Sequence, residues 1–370
     1  MVNHARSLDR RGYRVSLLGL PEPPSGLSST VRVFLLDPLL RDYAGTSKLL
    51  YFAVRVARVI MLSLSLTARL IAERPRWILV QNPPSFPTLL AAWLCARVTG
   101  GRLIVDWHNY GYTMLALRLG KGHPLVRLHR WYDGRAGRLG DAHLCVSVAM
   151  RDDLARRWGI DARVLYDRPV EFLAAATKPA PSRRSSPPDL PAGANLVAVY
   201  PTGWTADENA GLLLEALRLL PSPAGLRLYL TGTGPLRDSF DAPIASLRAG
   251  GFDIVTGFLP EAEYREVIRG ADLGLSLHTS SSGLDLAMKV SDLFAARVPV
   301  CAWDYGVCLR EQIRDGVTGF FFQTAPELAA LLSRFVADPG QLAEMRKHIE
   351  VEWRENWDEA WEHAAQGLLT

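Results

Sequence analysis

The residues from His278 to Asp292 have the composition of an anion-binding loop that leads into a helix. The segment HTSSSGLDLAMKVSD follows an apolar, strand-like run, and its hydroxyl side chains and glycine precede apolar positions with helical spacing. Free backbone N–H groups and the positive end of a helix dipole would face such a loop, and both favour phosphate. We therefore expect Ser281, Ser282 and Gly283 to hold a diphosphate.

Charged side chains near the start of this helix are further candidates for the same anion-binding site. Lys289 would lie in the first turns, where a cation is unfavourable by about 0.3–1 kcal/mol unless an anion is bound nearby. We expect Lys289 to contact donor phosphates, Asp292 to accept hydrogen bonds from a ribose, and Asp285 to belong to the same donor site. The alternative is structural: Asp285 caps the helix, and Lys289 forms a solvated pair with Asp292.

A second polar segment, VDWHNYGY at residues 105–112, follows a strand-like run in the first half of the chain. His108 could act as an acid, a base or an oxyanion donor near neutral pH, and Asp106 is the alternative base. The other polar and aromatic side chains are candidates for the acceptor side, where rings stack on sugars: Trp107, Asn109, Tyr110 and Tyr112. The alternatives are a structural histidine and aromatic rings that belong to the core.

Two glycines and the absence of an Asp-x-Asp pattern indicate which cofactors and metals to expect. Gly232 and Gly234 follow another strand-like run and could approach a nucleotide, or could only turn the chain. They are not part of a Gly-x-Gly-x-x-Gly sequence, so no nicotinamide or flavin cofactor is expected. No two aspartates have the Asp-x-Asp spacing that would hold a metal against a nucleotide diphosphate. We therefore expect a leaving group neutralised by cations and a helix N-terminus, without a metal.

The bulk composition fits a globular protein with two cores. The chain has 370 residues, is 48% hydrophobic and 22% charged, and carries a net charge of +4. This mild excess of positive charge suits an anionic small molecule or a membrane surface and is too weak to indicate a nucleic-acid partner. The four cysteines form no Cys-x-x-Cys pair, so neither a zinc site nor a disulfide framework is indicated.

The order of apolar runs and turns predicts an α/β protein with two Rossmann-like domains and a ligand cleft between them. In the second half, for example, a helix over residues 261–270 separates strand-like runs at 252–255 and 273–277. A stretch rich in Pro, Ser and Ala at residues 174–193 has the composition of a linker. We therefore predict an N-terminal domain at residues 1–173 and a nucleotide-sugar-binding domain at 194–350.

Two further segments predict helices with unusual faces. Residues 49–71 are strongly apolar, but Arg55, Arg58 and Arg69 argue against a membrane span. This helix would lie at a membrane interface or pack in the N-terminal domain. In residues 351–370, three tryptophans at four-residue spacing predict one helix that packs across the domain boundary or, alternatively, at a dimer interface.

Several motifs in one order resemble chitobiosyldiphosphodolichol β-mannosyltransferases. They are QNPP at residues 81–84, the segment at 105–112, HPL at 123–125, WY at 131–132 and HTSSSGLDL at 278–286. The likeness extends from NHA at residues 3–5 to the tryptophan-rich C-terminus. The Lys289-x-x-Asp292 spacing is similar to a helix of GT-B glycosyltransferases, in which the lysine faces the donor phosphates and the acid faces the ribose.

This resemblance implies a GT-B fold and an inverting, metal-independent transfer of mannose. The donor would be GDP-mannose and the acceptor GlcNAc2-diphosphodolichol, extended in a β-1,4 linkage during synthesis of the lipid-linked oligosaccharide for N-glycosylation. The first domain would lie on the acceptor side. The implied location is the cytosolic face of the endoplasmic reticulum membrane, with the membrane surface and other transferases of the pathway as partners.

The family pattern differs at the N-terminus. The family has a membrane anchor, a first strand and a glycine-containing loop before the helix that residues 1–9 resemble, and this chain starts within that helix. We therefore expect the first strand of the N-terminal domain to be missing. Two alternative functions follow: an inactive relative that binds a GDP-sugar or partner transferases, and a GT-B transferase with another lipid-linked acceptor.

Overall fold

The chain forms two compact units, Met1–Tyr166 with Asp358–Thr370 and Asp167–Trp357. A computed structural model describes residues 1–19, 26–36, 48–169 and 195–369, with backbone alone at 48–53 and 55. The limits differ from those predicted, because the first unit ends at Tyr166 and includes the end of the chain. The predicted linker at residues 174–193 lies outside the described residues.

The first unit contains a four-stranded parallel sheet and a separate pair of parallel strands. Its elements are α1 (Val2–Arg10), β1 (Ser16–Gly19), β2 (Arg32–Leu35), α2 (Lys48–Glu73), β3 (Trp77–Asn82), α3 (Thr88–Thr99), β4 (Arg102–Trp107), α4 (Gly111–Leu119), α5 (Pro124–Gly137), β5 (Ala142–Cys145), α6 (Val148–Trp158) and β6 (Arg163–Val164). The larger sheet has the order β3-β4-β5-β6, and β1 pairs with β2. β4 is buried from Leu103 to Trp107, as expected for a parallel strand with helices on both faces.

The second unit is built on one six-stranded parallel sheet. Its elements are β7 (Leu196–Pro201), α7 (Ala210–Arg218), β8 (Leu226–Thr231), α8 (Asp241–Ala249), β9 (Asp253–Gly257), α9 (Glu261–Gly270), β10 (Leu273–Ser276), α10 (Met288–Ala295), β11 (Val300–Trp303), β12 (Gly319–Phe322), α11 (Ala325–Ala337) and α12 (Gly340–Glu352). The order β12-β11-β10-β7-β8-β9 places the reversal of strand order between β7 and β10. The prediction of parallel α/β architecture in both halves is confirmed.

Side-chain alternation along β7 explains how this sheet is covered on both faces. Leu196, Ala198 and Tyr200 contribute to one buried cluster, and Val197 and Val199 to the other. Successive strand residues point to opposite faces, so a strand with helices on both sides must be apolar throughout. The strand ends are thus the places where polar side chains can gather.

Helix α2 has a buried side and an exposed apolar side. It packs against α3, and Leu70 is buried, whereas Ile60 and Leu64 are exposed. Among the described residues, no helix has the combination of length and apolarity needed to cross a membrane. The packed side agrees with the core alternative, and the exposed side is the feature that an interfacial helix requires.

The prediction of one continuous helix at the C-terminus is wrong. α12 ends at Glu352, and a further helix, α13 (Trp357–Ala365), begins after a break. Trp353 packs edge to face on Phe294 of the second unit, with ring centroids 4.9 Å apart. Trp361 packs in the first unit, where Arg11 lies over its ring. Trp353 and Trp361 thus pack in different units, so their spacing does not place them on one face of a single helix.

Gly137 in α5 provides a test of the packing around β4. A Cβ atom at this position would lie 2.6 Å from the indole ring of Trp107. We predict that Gly137→Ala lowers the free energy of unfolding by about 1–3 kcal/mol through overpacking, although alanine favours helices. Chemical denaturation measures the change.

The matched control is Gly122→Ala, because a Cβ there would have no atom within 4 Å. This control should stay within about 0.5 kcal/mol of the wild type. Equal stability of the two variants would contradict the close contact between Gly137 and Trp107.

Candidate active site

Two loops of the second unit meet at the reversal of strand order. The loop after β7 and the loop after β10 are joined by hydrogen bonds from Thr279 N to Asp207 O (2.7 Å) and from Asn209 N to Leu277 O (3.0 Å). The carboxyl ends of adjacent parallel strands that lead away in opposite directions form a crevice where α/β proteins bind ligands. The predicted donor segment therefore lies at the expected edge of this sheet.

His278 lies between two carboxylates at this edge. Its Nδ1 is 3.4 Å from Asp207 Oδ2, and its Nε2 is 3.5 Å from Asp285 Oδ2. Burial alone would lower the pKa of His278, but contacts with Asp207 and Asp285 outweigh it and raise the pKa to about 9. The interaction with His278 in turn holds the pKa of Asp207 well below its usual range. An imidazolium is therefore the form of His278 at neutral pH.

The loop between His278 and α10 is held by its own side chains. Asp285 accepts hydrogen bonds from Ser280 and, at 3.1 Å, from Ser282 Oγ, and Gly283 N donates to Ser280 Oγ at 2.8 Å. Tyr305 Oη donates to Asp285 O at 2.9 Å and fixes the loop from outside. A carboxylate repels a phosphate, so this geometry indicates that Asp285 orders the loop and His278.

The alternative in which Asp285 caps the N-terminus of this helix is wrong. The N-cap of α10 is Ala287, which makes no side-chain capping bond. Ser281, Ser282 and Gly283 precede this N-terminus, as predicted. Their contact with a diphosphate stays a prediction.

Lys289 pairs with a residue that the sequence did not single out. Its Nζ forms an ion pair with the buried carboxylate of Glu208, which also accepts a hydrogen bond from Tyr200 Oη at 2.8 Å. Burial lowers the pKa of Lys289 to about 8. The structure thus shows a partner for Lys289 other than the predicted Asp292. The consecutive acidic residues Asp207-Glu208 after a strand were the available signal for this partner.

Asp292 lies one turn after Lys289 on α10. The pKa of Asp292 is raised to about 6, mainly by burial and less by the charge of Asp167, against the opposing charge of Lys289. Such a partly protonated carboxyl can donate as well as accept hydrogen bonds, which suits a ribose hydroxyl. Its role in donor binding stays a prediction.

Gly232 and Gly234 allow two loops to approach closely. A Cβ at Gly232 would lie 1.9 Å from Thr202 O, and one at Gly234 would lie 1.8 Å from Gly203 O. Gly232 also has a φ of +127°, a backbone conformation that residues with a side chain rarely adopt. These contacts alone require glycine, in agreement with the turn alternative, and they place both residues beside the loop that carries Asp207 and Glu208.

In the first unit, Asp106 is the centre of a buried hydrogen-bonded cluster. Its Oδ2 lies 2.8 Å from His108 Nε2 and 3.0 Å from His4 Nε2. Burial would raise the pKa of Asp106, but the two histidines hold it far below its usual range. Asp106 is therefore an ionised acceptor that orients the rings, and His108 is the better candidate base of the two predicted residues.

Trp361 fixes the tautomer of His4. The indole Nε1–H donates to His4 Nδ1 at 2.9 Å, so the proton of neutral His4 lies on Nε2 and points to Asp106. The ligand atoms of His4, Asp106 and His108 lie within 4.8 Å of one another, a spacing that could hold a metal ion. A metal at His4 Nε2 would place the proton on Nδ1, against the indole N–H. The cluster therefore favours a proton-holding role, and the expectation of no metal stays a prediction.

The predicted acceptor-side aromatic residues divide into core and surface. Trp107 and Tyr110 are fully buried, and they donate to His143 Nδ1 (3.3 Å) and Asp153 Oδ2 (3.0 Å). A buried ring cannot stack on a sugar, so the core alternative holds for both. Tyr112 is half-buried and stacks on Tyr110, with centroids 5.6 Å apart.

Asn109, which directly precedes Tyr110 in the chain, is also half-buried. Its Oδ1 accepts from Tyr110 N at 2.7 Å. Asn109 and Tyr112 therefore remain the accessible acceptor-side candidates of this segment.

Comparison with known proteins agrees with this division into two units. Residues 1–166 match the model of Glycosyltransferase Family 4, and residues 194–352 match that of Glycosyl transferases group 1. The chain is 33% identical to a chitobiosyldiphosphodolichol β-mannosyltransferase of Mus musculus, over 100% of this chain and 86% of the mouse protein. A protein of the same name from Arthroderma benhamiae is 35% identical, over 96% of this chain and 82% of its own length.

The chain belongs to the chitobiosyldiphosphodolichol β-mannosyltransferase family. It is a glycosyltransferase, as the sequence motifs predicted. A solved sucrose-phosphate synthase from Thermosynechococcus elongatus shares its fold, with a TM-score of 0.71 at 15% identity, over 98% of this chain and 90% of that chain. The GT-B fold predicted for this family member is therefore confirmed.

We predict that the His278 imidazole titrates with a pKa of about 9 and that Asp207→Asn lowers this value by at least about one unit. Because folding raises this pKa from about 6.5, the contacts stabilise the fold below pH 6.5, and their contribution is lost as pH rises through about 9. Histidine NMR gives the titration, with His278→Gln to assign the signal.

The matched control is Asp253→Asn, because Asp253 pairs with Arg227 instead. This substitution removes the same charge and should leave the midpoint unchanged. A wild-type midpoint near 6.5 would contradict the carboxylate contacts.

We predict that His4 is the Nε2–H tautomer in the wild-type protein and a mixture in Trp361→Phe, which lacks the donor to Nδ1. Loss of this buried hydrogen bond should lower the free energy of unfolding by about 1–3 kcal/mol. Imidazole ¹⁵N shifts report the tautomer, and chemical denaturation reports the stability.

Trp77→Phe is the control, because Trp77 Nε1 is buried without a hydrogen-bond partner in the part of the chain that the structure describes. Trp77→Phe should change the His4 tautomer and the free energy of unfolding much less than Trp361→Phe does. A His4 that is mainly Nδ1–H in the wild type would show that Trp361 does not set its tautomer.

Proposed function

We propose that this protein transfers mannose from GDP-mannose to GlcNAc2-diphosphodolichol and forms a β-1,4 linkage with inversion. The observation that carries the proposal is the shared name of relatives that are 33–35% identical over nearly the whole chain. That name specifies the acceptor and the sugar transferred. The donor nucleotide rests on the resemblance stated above and on the anion-binding character of the second unit.

The second unit supplies cations for the donor diphosphate in this proposal. Lys289 lies in the first turn of α10, whose free N–H groups and dipole favour an anion at the same place. His278 adds an imidazolium at the neighbouring loop. The carboxylates of Glu208 and Asp207 keep these cations in position when no donor is bound. Charge that develops on the departing GDP is then stabilised by groups that are already oriented.

The first unit supplies the base. Asp106 accepts from His108 Nε2, so the proton of neutral His108 lies on Nε2 and the lone pair on Nδ1. In a single displacement, the acceptor O4 bonds to C1 of mannose as the bond from C1 to the GDP oxygen breaks. The O4 proton passes to His108 Nδ1, and Asp106 stabilises the resulting imidazolium. No metal takes part in the proposed reaction.

The acceptor and the family resemblance suggest where the reaction occurs. A dolichol chain resides in a bilayer, so the enzyme must work at a membrane surface. We infer the cytosolic face of the endoplasmic reticulum, where the enzyme would meet GDP-mannose and other transferases of the same pathway.

The direct test is transfer of mannose to a synthetic short-chain GlcNAc2-diphospholipid, with GDP-mannose and UDP-sugars compared as donors. Formation of a β-linked trisaccharide from GDP-mannose supports the proposal. Binding of GDP-mannose without transfer would favour the inactive relative, and transfer to a different lipid-linked sugar would favour another acceptor.

We predict that Lys289→Ala lowers kcat/KM for GDP-mannose by about 10²–10³, because it removes a cation from the diphosphate. GDP affinity of the wild type should also fall as pH rises through about 8, where the Lys289 ammonium loses its proton. Steady-state kinetics and calorimetry measure the two effects.

Lys347→Ala is the matched control, since Lys347 is an exposed helix residue of the same unit that pairs with Glu344. It should behave as the wild type. Unchanged GDP-mannose affinity in Lys289→Ala would remove Lys289 from the donor site.

A further inference from the structure

The middle of the first unit is far more basic than the chain as a whole. Residues 48–132 contain twelve Lys or Arg and two acidic residues, whereas the full chain has 42 and 38. The two acidic residues are not available at the surface as free charges. Glu73 pairs with Arg32, and Asp106 is buried between histidines. The sequence of this segment therefore carries positive charge with almost no negative charge of its own.

Helices α4 and α5 pack against each other and expose large apolar side chains. We define the α4–α5 surface by the five that are between 48% and 64% exposed: Met114, Leu117, Leu125, Leu128 and Trp131. The α5 members recur every three residues, on a different face from the buried Val126 and Asp133. Isolated exposed apolar residues are ordinary, but a group of this size on two adjoining helices indicates a partner.

Basic side chains stand among these apolar ones. Arg118, Lys121, Arg127 and Arg130 are all exposed, and no acidic residue occurs between Asp106 and Asp133. Leucine and tryptophan side chains enter the boundary between headgroups and acyl chains, while long basic side chains reach the phosphates. A juxtamembrane Lys or Arg near an anionic surface contributes about 1 kcal/mol.

The apolar character continues onto neighbouring helices. α3 contacts both α2 and α5. It exposes Leu90, Leu94 and Val98 at four-residue spacing, and Leu64 is exposed on α2. The exposed apolar side chains of α2 after residue 55 are therefore one part of a larger apolar region. Trp131 on α5 is the only exposed tryptophan of this region among the described residues.

We propose that the α4–α5 surface binds the headgroup region of an anionic lipid bilayer. A second copy of this chain is a poorer partner, because two surfaces with this excess of positive charge repel each other. An anionic bilayer satisfies the apolar side chains and the basic ones together. In combination with the proposed function, on which this consequence rests, the surface would hold the enzyme at the membrane that contains its lipid-linked acceptor.

The test is co-sedimentation of the full chain with vesicles of phosphatidylcholine alone or mixed with phosphatidylserine. We expect binding to the mixed vesicles that weakens with salt. The triple variant Leu117→Ser, Leu128→Ser and Trp131→Ser should bind at least about tenfold more weakly. Lys121→Ala with Arg127→Ala should lose binding to the mixed vesicles selectively, because it removes the headgroup contacts.

The matched control is Phe258→Ser with Val307→Ser, which removes two apolar side chains of the second unit that are 72% and 71% exposed. It should bind vesicles as the wild type does. An unchanged thermal unfolding midpoint shows that the triple variant is folded. Transfer to a short-chain, water-soluble acceptor is measured in parallel, so that a failure of lipid binding and a failure of the proposed function are distinguished.

Four results would overturn the proposal. Three concern vesicle binding: absence of wild-type binding to the mixed vesicles, equal binding by the triple variant, and equal loss in the control. A wild-type dimer in solution that the triple variant abolishes would also overturn it, since a second copy would then cover the surface.

Discussion

The burial of one ionised carboxylate constrains much of the first unit. Asp106 is 2% exposed, and an unpaired charge at such a position would cost several kcal/mol. It is tolerated because two imidazole N–H groups donate to it. One of these donors, His4, has its proton placed by Trp361, which comes from the opposite end of the chain. Both terminal helices are thereby tied to the carboxyl end of β4.

In the second unit, the partly buried charges that need partners are cations. Two cations, His278 and Lys289, lie where a diphosphate is expected, and each is partly buried and in contact with carboxylates. Burial weakens the protonated form of both, and the carboxylates restore it for His278 but not fully for Lys289. A donor diphosphate would supply the missing negative charge. The positions of these cations are thus set before the ligand arrives, and a bound diphosphate would complete the protonation of Lys289.

The sequence was informative about elements and weak about their long-range partners. The helix at Glu261–Gly270 was predicted at its observed bounds, and the strand-like runs around it are β9 and β10, because apolar periodicity is a local property. The Glu208–Lys289 pair was not predicted, because it spans 81 positions and depends on the order of β7 and β10 in the sheet. Trp107 and Tyr110 could not be assigned from residue type, since an aromatic ring fits a core as well as a sugar.

The net charge of +4 conceals how charge is distributed along the chain. The residues outside 48–132 contain more acidic than basic side chains, so the small positive sum is a balance of segments with opposite sign. Electrostatic attraction to a surface depends on local charge within about 10 Å, not on the sum over the molecule. The acidic remainder includes the carboxylates that position His278 and Lys289. The same separation of charge therefore allows one segment of the first unit to carry a local excess of cations, while His278 and Lys289 in the second unit lie among carboxylates.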